Sequence, residues 1–160
     1  KSAQTDLKLI NARSENLTEK PMWKRLLKTH RCVVPARGFY EWKTVDGKKQ
    51  PYYITAKDNA VLSFAGLFDH WEDSEGVEIL SFTIITTQPN KEMSEIHDRM
   101  PVILNKQAME MWLSPQELEL DQIHDILKFA PDNTLNLDMV STKVNYSGHN
   151  DKELIYPLPK

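Results

Sequence analysis

A single cysteine in 160 residues leaves no possibility of a disulfide within the chain. That usage suits a reducing compartment, and a cytoplasmic location is expected. No apolar run approaches the roughly 20 residues that a membrane-spanning helix needs. The opening Lys1-Ser2-Ala3-Gln4-Thr5-Asp6 has no hydrophobic signal-peptide core, so no membrane partner is expected. Also missing are Cys-x-x-Cys, His-Glu-x-x-His, a P-loop and Gly-x-Gly-x-x-Gly, which leaves metal and nucleotide sites without support. We therefore expect neither metal nor cofactor. No Gly-x-Ser-x-Gly elbow is present, although composition alone leaves Ser-His-Asp hydrolysis open.

What is present is ordinary for a globular protein: 40% hydrophobic and 27% charged residues, with length for one domain over 1–160. The formal net charge of -3 hides an asymmetry. Residues 1–60 hold 13 Lys+Arg against 6 Asp+Glu, while residues 61–160 hold 7 against 17. The basic excess peaks at Lys20, Lys24, Arg25, Lys28, Arg31 and Arg37. It is either a face that guides phosphate to a groove or a solvated helix surface.

Leu7 to Ile10 is a short apolar run ending at Asn11-Ala12-Arg13. Thr18 to Lys28 reads as a helix with Pro21 in its first turn and Met22, Trp23, Leu26 and Leu27 as its apolar stripe. Strands follow on both sides of Pro35 to Gly38, and Asp46-Gly47 predicts a hairpin between Tyr40–Val45 and Pro51–Ala56. Val61 to Trp71 and Ile79 to Thr87 read as strands, with Gly66 a bulge or a close backbone approach. A short helix over Lys91 to Ile96 leads to His97 and then to a strand at Val102 to Leu104. Lys106 to Leu113 is helical. Ser114-Pro115-Gln116-Glu117 reads as a capping box opening a helix to about Phe129. Leu135 to Val144 returns to strand, and a polar, proline-rich tail runs over the surface. The pattern is α+β: a curved, mainly antiparallel sheet or open barrel-like core with helices outside.

Three groups of residues could carry chemistry. In an extended chain Phe39, Glu41 and Lys43 share one face and Tyr40 and Trp42 the other, which sets one carboxylate among large rings. Glu41 is then either a solvated strand residue or an acid whose pKa is raised by partial desolvation. His97, between Ile96 and Asp98-Arg99-Met100-Pro101, lies at a helix-to-strand junction of the kind that sets side chains at a cleft rim. Its alternative is a purely structural bond to a nearby carboxylate. Asn11 and Arg13 place an amide and a guanidinium on one face of an extended segment, suited to a sugar oxygen and a phosphate. His30, His70, His124 and His149 have no comparable setting. Cys32, beside Val33-Val34, reads as a small buried hydrophobe.

Taken together, these stretches resemble the SRAP family (SOS-response-associated peptidase domain). Four blocks carry the likeness, in order: Asn11 to Glu15; Arg31 to Pro35 leading into Gly38-Phe39-Tyr40-Glu41-Trp42-Lys43; Ala65-Gly66-Leu67-Phe68 through Trp71; and Phe82 to Thr87 running to Ile96-His97-Asp98-Arg99-Met100-Pro101-Val102-Ile103-Leu104. A weaker match covers Val140-Ser141 to Asn150-Asp151. The resemblance implies a protein that senses abasic sites in single-stranded DNA. It also implies an N-terminal cysteine whose amine forms a Schiff base with the opened sugar and whose thiol closes a thiazolidine. By the same resemblance Glu41 would be the acid/base group, His97 would assist ring opening and Schiff-base chemistry, and Asn11 would position the amine or sugar. Arg13 and Arg99 would hold phosphates, with Trp42 and Tyr40 beside the DNA groove. A DNA-associated monomer is expected.

The family's Cys-Gly-Arg start and a Trp-Gly-Leu stretch are not among these residues, so we read the chain as an N-terminally incomplete SRAP-like domain. Cys32 cannot stand in, because an internal cysteine has no free α-amine. Three readings follow: an abasic-site crosslinking protein, a non-covalent single-stranded DNA-binding module, or a thiol peptidase acting on its own N-terminus.

Overall fold

In chain order the elements are β1 (Asn11–Arg13), α1 (Pro21–Thr29), β2 (Arg31–Ala36), β3 (Phe39–Val45), β4 (Lys48–Ala56), β5 (Leu62–Glu72), β6 (Glu78–Thr87), β7 (Met100–Pro101), α2 (Lys106–Trp112), α3 (Leu120–Ile126) and β8 (Leu135–Met139). They come from a computed structural model, which describes residues 10–128 and 130–159. Apart from Ile10, the expected Leu7–Ile10 run lies outside the described residues, as does Phe129. Among the described residues no helix is long and apolar enough to cross a membrane. The class is α+β, with two open sheets in two compact units.

The first unit comprises Lys1–Val34, Ser63–Thr87 and Pro101–Phe129. Its sheet runs β1-β6-β5-β2, with β7 beside β6. β5 and β6 form an antiparallel ladder from Gly66↔Ile84 to Glu72↔Glu78, whereas β1 lies parallel to β6 with Asn11 opposite Ile84. α1 forms because Pro21 suits its first turn and because Trp23, Leu26 and Leu27 fall on one stripe, which is buried. Gly66 is a close approach: a Cβ there would sit 3.0 Å from both Cys32 Sγ and Thr83 O. Trp112 is fully buried, and its indole N–H donates to Cys32 O at 2.9 Å.

Arg31 organises this unit more than its charge would suggest. Its guanidinium donates to Trp112 O (2.7 Å), Lys28 O (3.0 Å) and Gln116 O (3.0 Å), and also to Leu27 O and Ser114 O. The Leu27, Lys28 and Trp112 carbonyls belong to the last turns of α1 and α2, where a helix leaves acceptors unpaired, and those of Ser114 and Gln116 follow α2 in the chain. The bonds also explain a correction. The expected capping box at Ser114 starts no helix, because Ser114 O and Gln116 O are turned to Arg31 and Ser114 Oγ accepts from Gln116 N–H at 3.3 Å. α3 begins at Leu120 instead, with a reciprocal box between Glu119 and Gln122.

The second unit comprises Pro35–Leu62, Gln88–Met100 and Ala130–Lys160, with a sheet ordered β3-β4-β8. The β3–β4 hairpin turns on Asp46 and Gly47, whose φ values of +49° and +75° are the pair a two-residue hairpin of matching twist requires. The strand expected over Leu135 to Val144 ends at Met139, and Thr142–Asn145 is a 3-10 turn capped by Ser141. The tail is anchored rather than only laid on the surface: Leu154 is buried and the Leu158 N–H donates to Met139 O at 2.8 Å. The helix expected over Lys91–Ile96 is reduced to a 3-10 turn at Met93–Glu95. Beyond β7, the expected strand Val102–Leu104 is only a single bridge from Ile103 to Phe64.

Gly38 controls where β3 starts. A Cβ there would meet Ile54 O at 2.5 Å and the Tyr53 ring at 2.6 Å, and backbone cannot swing aside as a side-chain tip can. Gly38→Ala is expected to destabilise the protein by about 1–3 kcal/mol, the usual range for overpacking. Urea unfolding with the slope unchanged and the midpoint lowered would show it.

Candidate active site

β3 carries Glu41 and Trp42 opposite Tyr52 and Pro51 of β4, so the backbone position of both is set by the hairpin register. Glu41 is largely buried, with 23% of its side chain exposed. Burial pushes its carboxyl above the usual range. The nearby His97, the Trp42 backbone N–H and Lys49 pull it down without cancelling this, and Asp98 adds to the rise.

His97 faces it from the segment after the Met93–Glu95 turn, with Nε2 4.0 Å from Glu41 Oε2. Its Nδ1 accepts the Arg99 backbone N–H at 3.0 Å and lies 3.3 Å from Arg99 O. Asp98 Oδ1 lies 3.2 Å from Nδ1. The platform beneath is rigid for identifiable reasons. Buried Asn90 accepts the Met93 N–H at 3.1 Å and donates to Pro131 O at 3.2 Å. Glu92 accepts the N–H groups of Asn133, Thr134 and Leu135; burial pushes its carboxyl up, but these bonds outweigh it and hold the group below its ordinary value.

Glu41, Trp42, Lys49, His97, Val144, Asn145 and Ser147 line an open cleft of about 650 Å³. Trp42 is fixed by its indole N–H, which donates to Asn145 Oδ1 at 2.6 Å. The cleft therefore combines a carboxylic acid of raised pKa, an imidazole, an ammonium and one indole face. Such a set can pass protons to and from an oxygen or an imine.

Of the residues singled out from the sequence, Glu41, His97 and Trp42 come together here. Arg99 contributes its backbone to His97, and its side chain is half-buried. Tyr40 packs on Tyr53 (5.1 Å) and Trp42 (6.3 Å) and does not line the cleft; burial and then Tyr53 push its hydroxyl up. Asn11 and Arg13 share the exposed side of β1 in the first unit, with Ala12 between them buried. Cys32 is half-buried in β2, and desolvation raises its thiol.

Lys49, Asn145 and Ser147 were missed. Asn145 and Ser147 lie in the stretch of weak family likeness, which was their one signal; Lys49 had none. Three of the six residues at the peak of the basic run are engaged within the chain. Arg25 pairs with Asp69 at 2.5 Å, Lys28 with Glu117 at 2.8 Å, and Arg31 is structural.

Known proteins share this chain's sequence and fold. It is 41% identical over 156 residues to the abasic site processing protein YoaM of Bacillus subtilis, covering 97% of this chain and 69% of that protein. It is 41% identical over 167 residues to the abasic site processing protein HMCES of Xenopus tropicalis, covering 91% of this chain and 49% of that protein. A crystal structure of a Bacteroides thetaiotaomicron protein superposes with a TM-score of 0.85 at 33% identity, over 93% of this chain and 66% of that one. The profile of one family, SOS response associated peptidase (SRAP), matches residues 1–147. With that profile matched over most of its length, the chain belongs to the SRAP family.

Proposed function

We propose that this chain serves DNA repair at abasic sites, as one SRAP-like domain acting as a monomer on single-stranded DNA. The carrying observation is the facing of Glu41 and His97 across the cleft, a desolvated acid 4.0 Å from an imidazole. An abasic site is an equilibrium of closed hemiacetal and open aldehyde. Opening needs a proton delivered to the ring oxygen and one removed from the hydroxyl, which suits a carboxyl of raised pKa facing an imidazole. In a full-length protein containing this chain, the α-amine of an N-terminal cysteine adds to the aldehyde. Water leaves with a proton from the acid, and the thiol then adds to the imine to close a thiazolidine. Asn11 positions the amine or sugar, Arg13 and Arg99 hold phosphates, and Trp42 offers a base-stacking face with Tyr40 behind it.

The test is a denaturing gel of full-length protein with an abasic single-stranded oligonucleotide. A shifted, heat-stable band is expected, and its absence would overturn the covalent reading. A second reading, favoured by the Trp42 indole and the Lys49 ammonium in the cleft, is non-covalent binding of single-stranded DNA whose affinity falls with salt.

A further inference from the structure

A different cluster, sharing no residue with that cleft, is assembled by the first unit. We propose that His30, Asp69 and His70 form a binding site for a divalent transition metal, with Zn²⁺ as the ion that best fits two imidazoles and a carboxylate. One ligand atom from each of the three lies within 4.8 Å of the others. Tetrahedral coordination at about 2.0–2.1 Å sets ligand atoms about 3.3 Å apart, so no pair of them needs to close by more than about 1.5 Å.

The three groups are already oriented. His30 precedes β2, and its carbonyl accepts the Phe68 N–H at 2.9 Å, which lays it alongside the Asp69-His70 pair of β5. Its ring is held by Thr29 Oγ1 on Nδ1 at 2.7 Å and packs against Phe68, with centroids 5.0 Å apart. The His70 ring stacks on it at 6.1 Å and 23°. Asp69 is held at both oxygens: Arg25 donates to Oδ2 at 2.5 Å and the His70 N–H donates to Oδ1 at 3.1 Å. Hydrogen-bonded ligands of this kind are what fixes the geometry of metal sites, since the supporting partners remove the entropy of orienting each ligand. His70 is exposed and His30 half-buried, so an ion from solution can reach the cluster and a fourth position stays open to water.

Titration calorimetry of ZnCl₂ into chelator-treated protein tests this. One Zn²⁺ per chain at micromolar concentration is expected. His70→Ala and Asp69→Asn should each weaken binding at least about tenfold, while His124→Ala should leave it unchanged. On the wild-type protein, the His30 and His70 ring resonances should shift together with the first equivalent of Zn²⁺. No saturable uptake at micromolar Zn²⁺, or uptake with shifts confined to other histidines, would overturn the proposal. A failed crosslinking gel would not touch it.

Discussion

Glu41→Gln in the full-length protein is expected to slow abasic-site crosslinking by about 10²- to 10⁴-fold, the range for losing a positioned acid–base group. The same substitution is expected to make the protein more stable at neutral pH. The amide keeps the shape of the acid, so the cleft and the register of β3 are undisturbed. What changes is the charge. Burial raises the Glu41 pKa in the folded protein above its unfolded value, so the carboxylate is the disfavoured form there. A group shifted upward contributes stability that is fully present below its unfolded pKa and lost as pH rises through the folded one. The glutamine variant loses nothing over that range. The melting temperatures should therefore coincide in acid, below the ordinary glutamate range, and separate above the raised pKa, with the variant the higher of the two. Calorimetric melts of both proteins across that range, alongside a crosslinking time course, read the two effects together. A variant that is slower but less stable at every pH would make Glu41 a structural residue whose loss merely loosens the cleft.

The second large effect concerns Arg31→Ala, expected to cost about 3 kcal/mol. Five carbonyls accept from this guanidinium, and those of Leu27, Trp112 and Ser114 are the partly buried ones. Leaving a buried acceptor unpaired costs about 1–3 kcal/mol, and water reaches the exposed Lys28 and Gln116 carbonyls more readily. Arg31→Lys should recover less than half of the loss. An ammonium is a compact charge with no planar fork to span the ends of α1 and α2. Arg25→Ala is the contrasting case: its pair with Asp69 is exposed on both sides and should be worth no more than about 1 kcal/mol. Denaturant midpoints of the three variants order the effects. Equal losses for Arg25→Ala and Arg31→Ala would refute the organising role of Arg31.

Much of this was legible from local pattern. The stripe of α1, the Asp46-Gly47 turn and the β5–β6 ladder each depend on residues close in sequence, where periodicity and turn chemistry act directly. The pairing of Asn11 with Arg13 on one side of β1 follows from alternation alone. Where local signals misled, a distant group had intervened. The Ser114 box is sound chemistry for a helix start, yet Arg31, remote in sequence, takes its carbonyls. The strand expected through Val144 stops because Ser141 caps a 3-10 turn, and that turn brings Asn145 to Trp42.

Residue order was enough for the α+β class, the likeness to SRAP and the choice of Glu41 and His97 as candidates. It left open whether Glu41 was a solvated strand residue or a perturbed acid, because desolvation is a property of everything packed around a group. Only the tertiary structure placed Glu41 against His97 in a cleft, tied Trp42 to Asn145 and gathered His30 with Asp69 and His70. Periodicity reports which way a side chain points from its own backbone. It carries no term for what another segment brings to meet it.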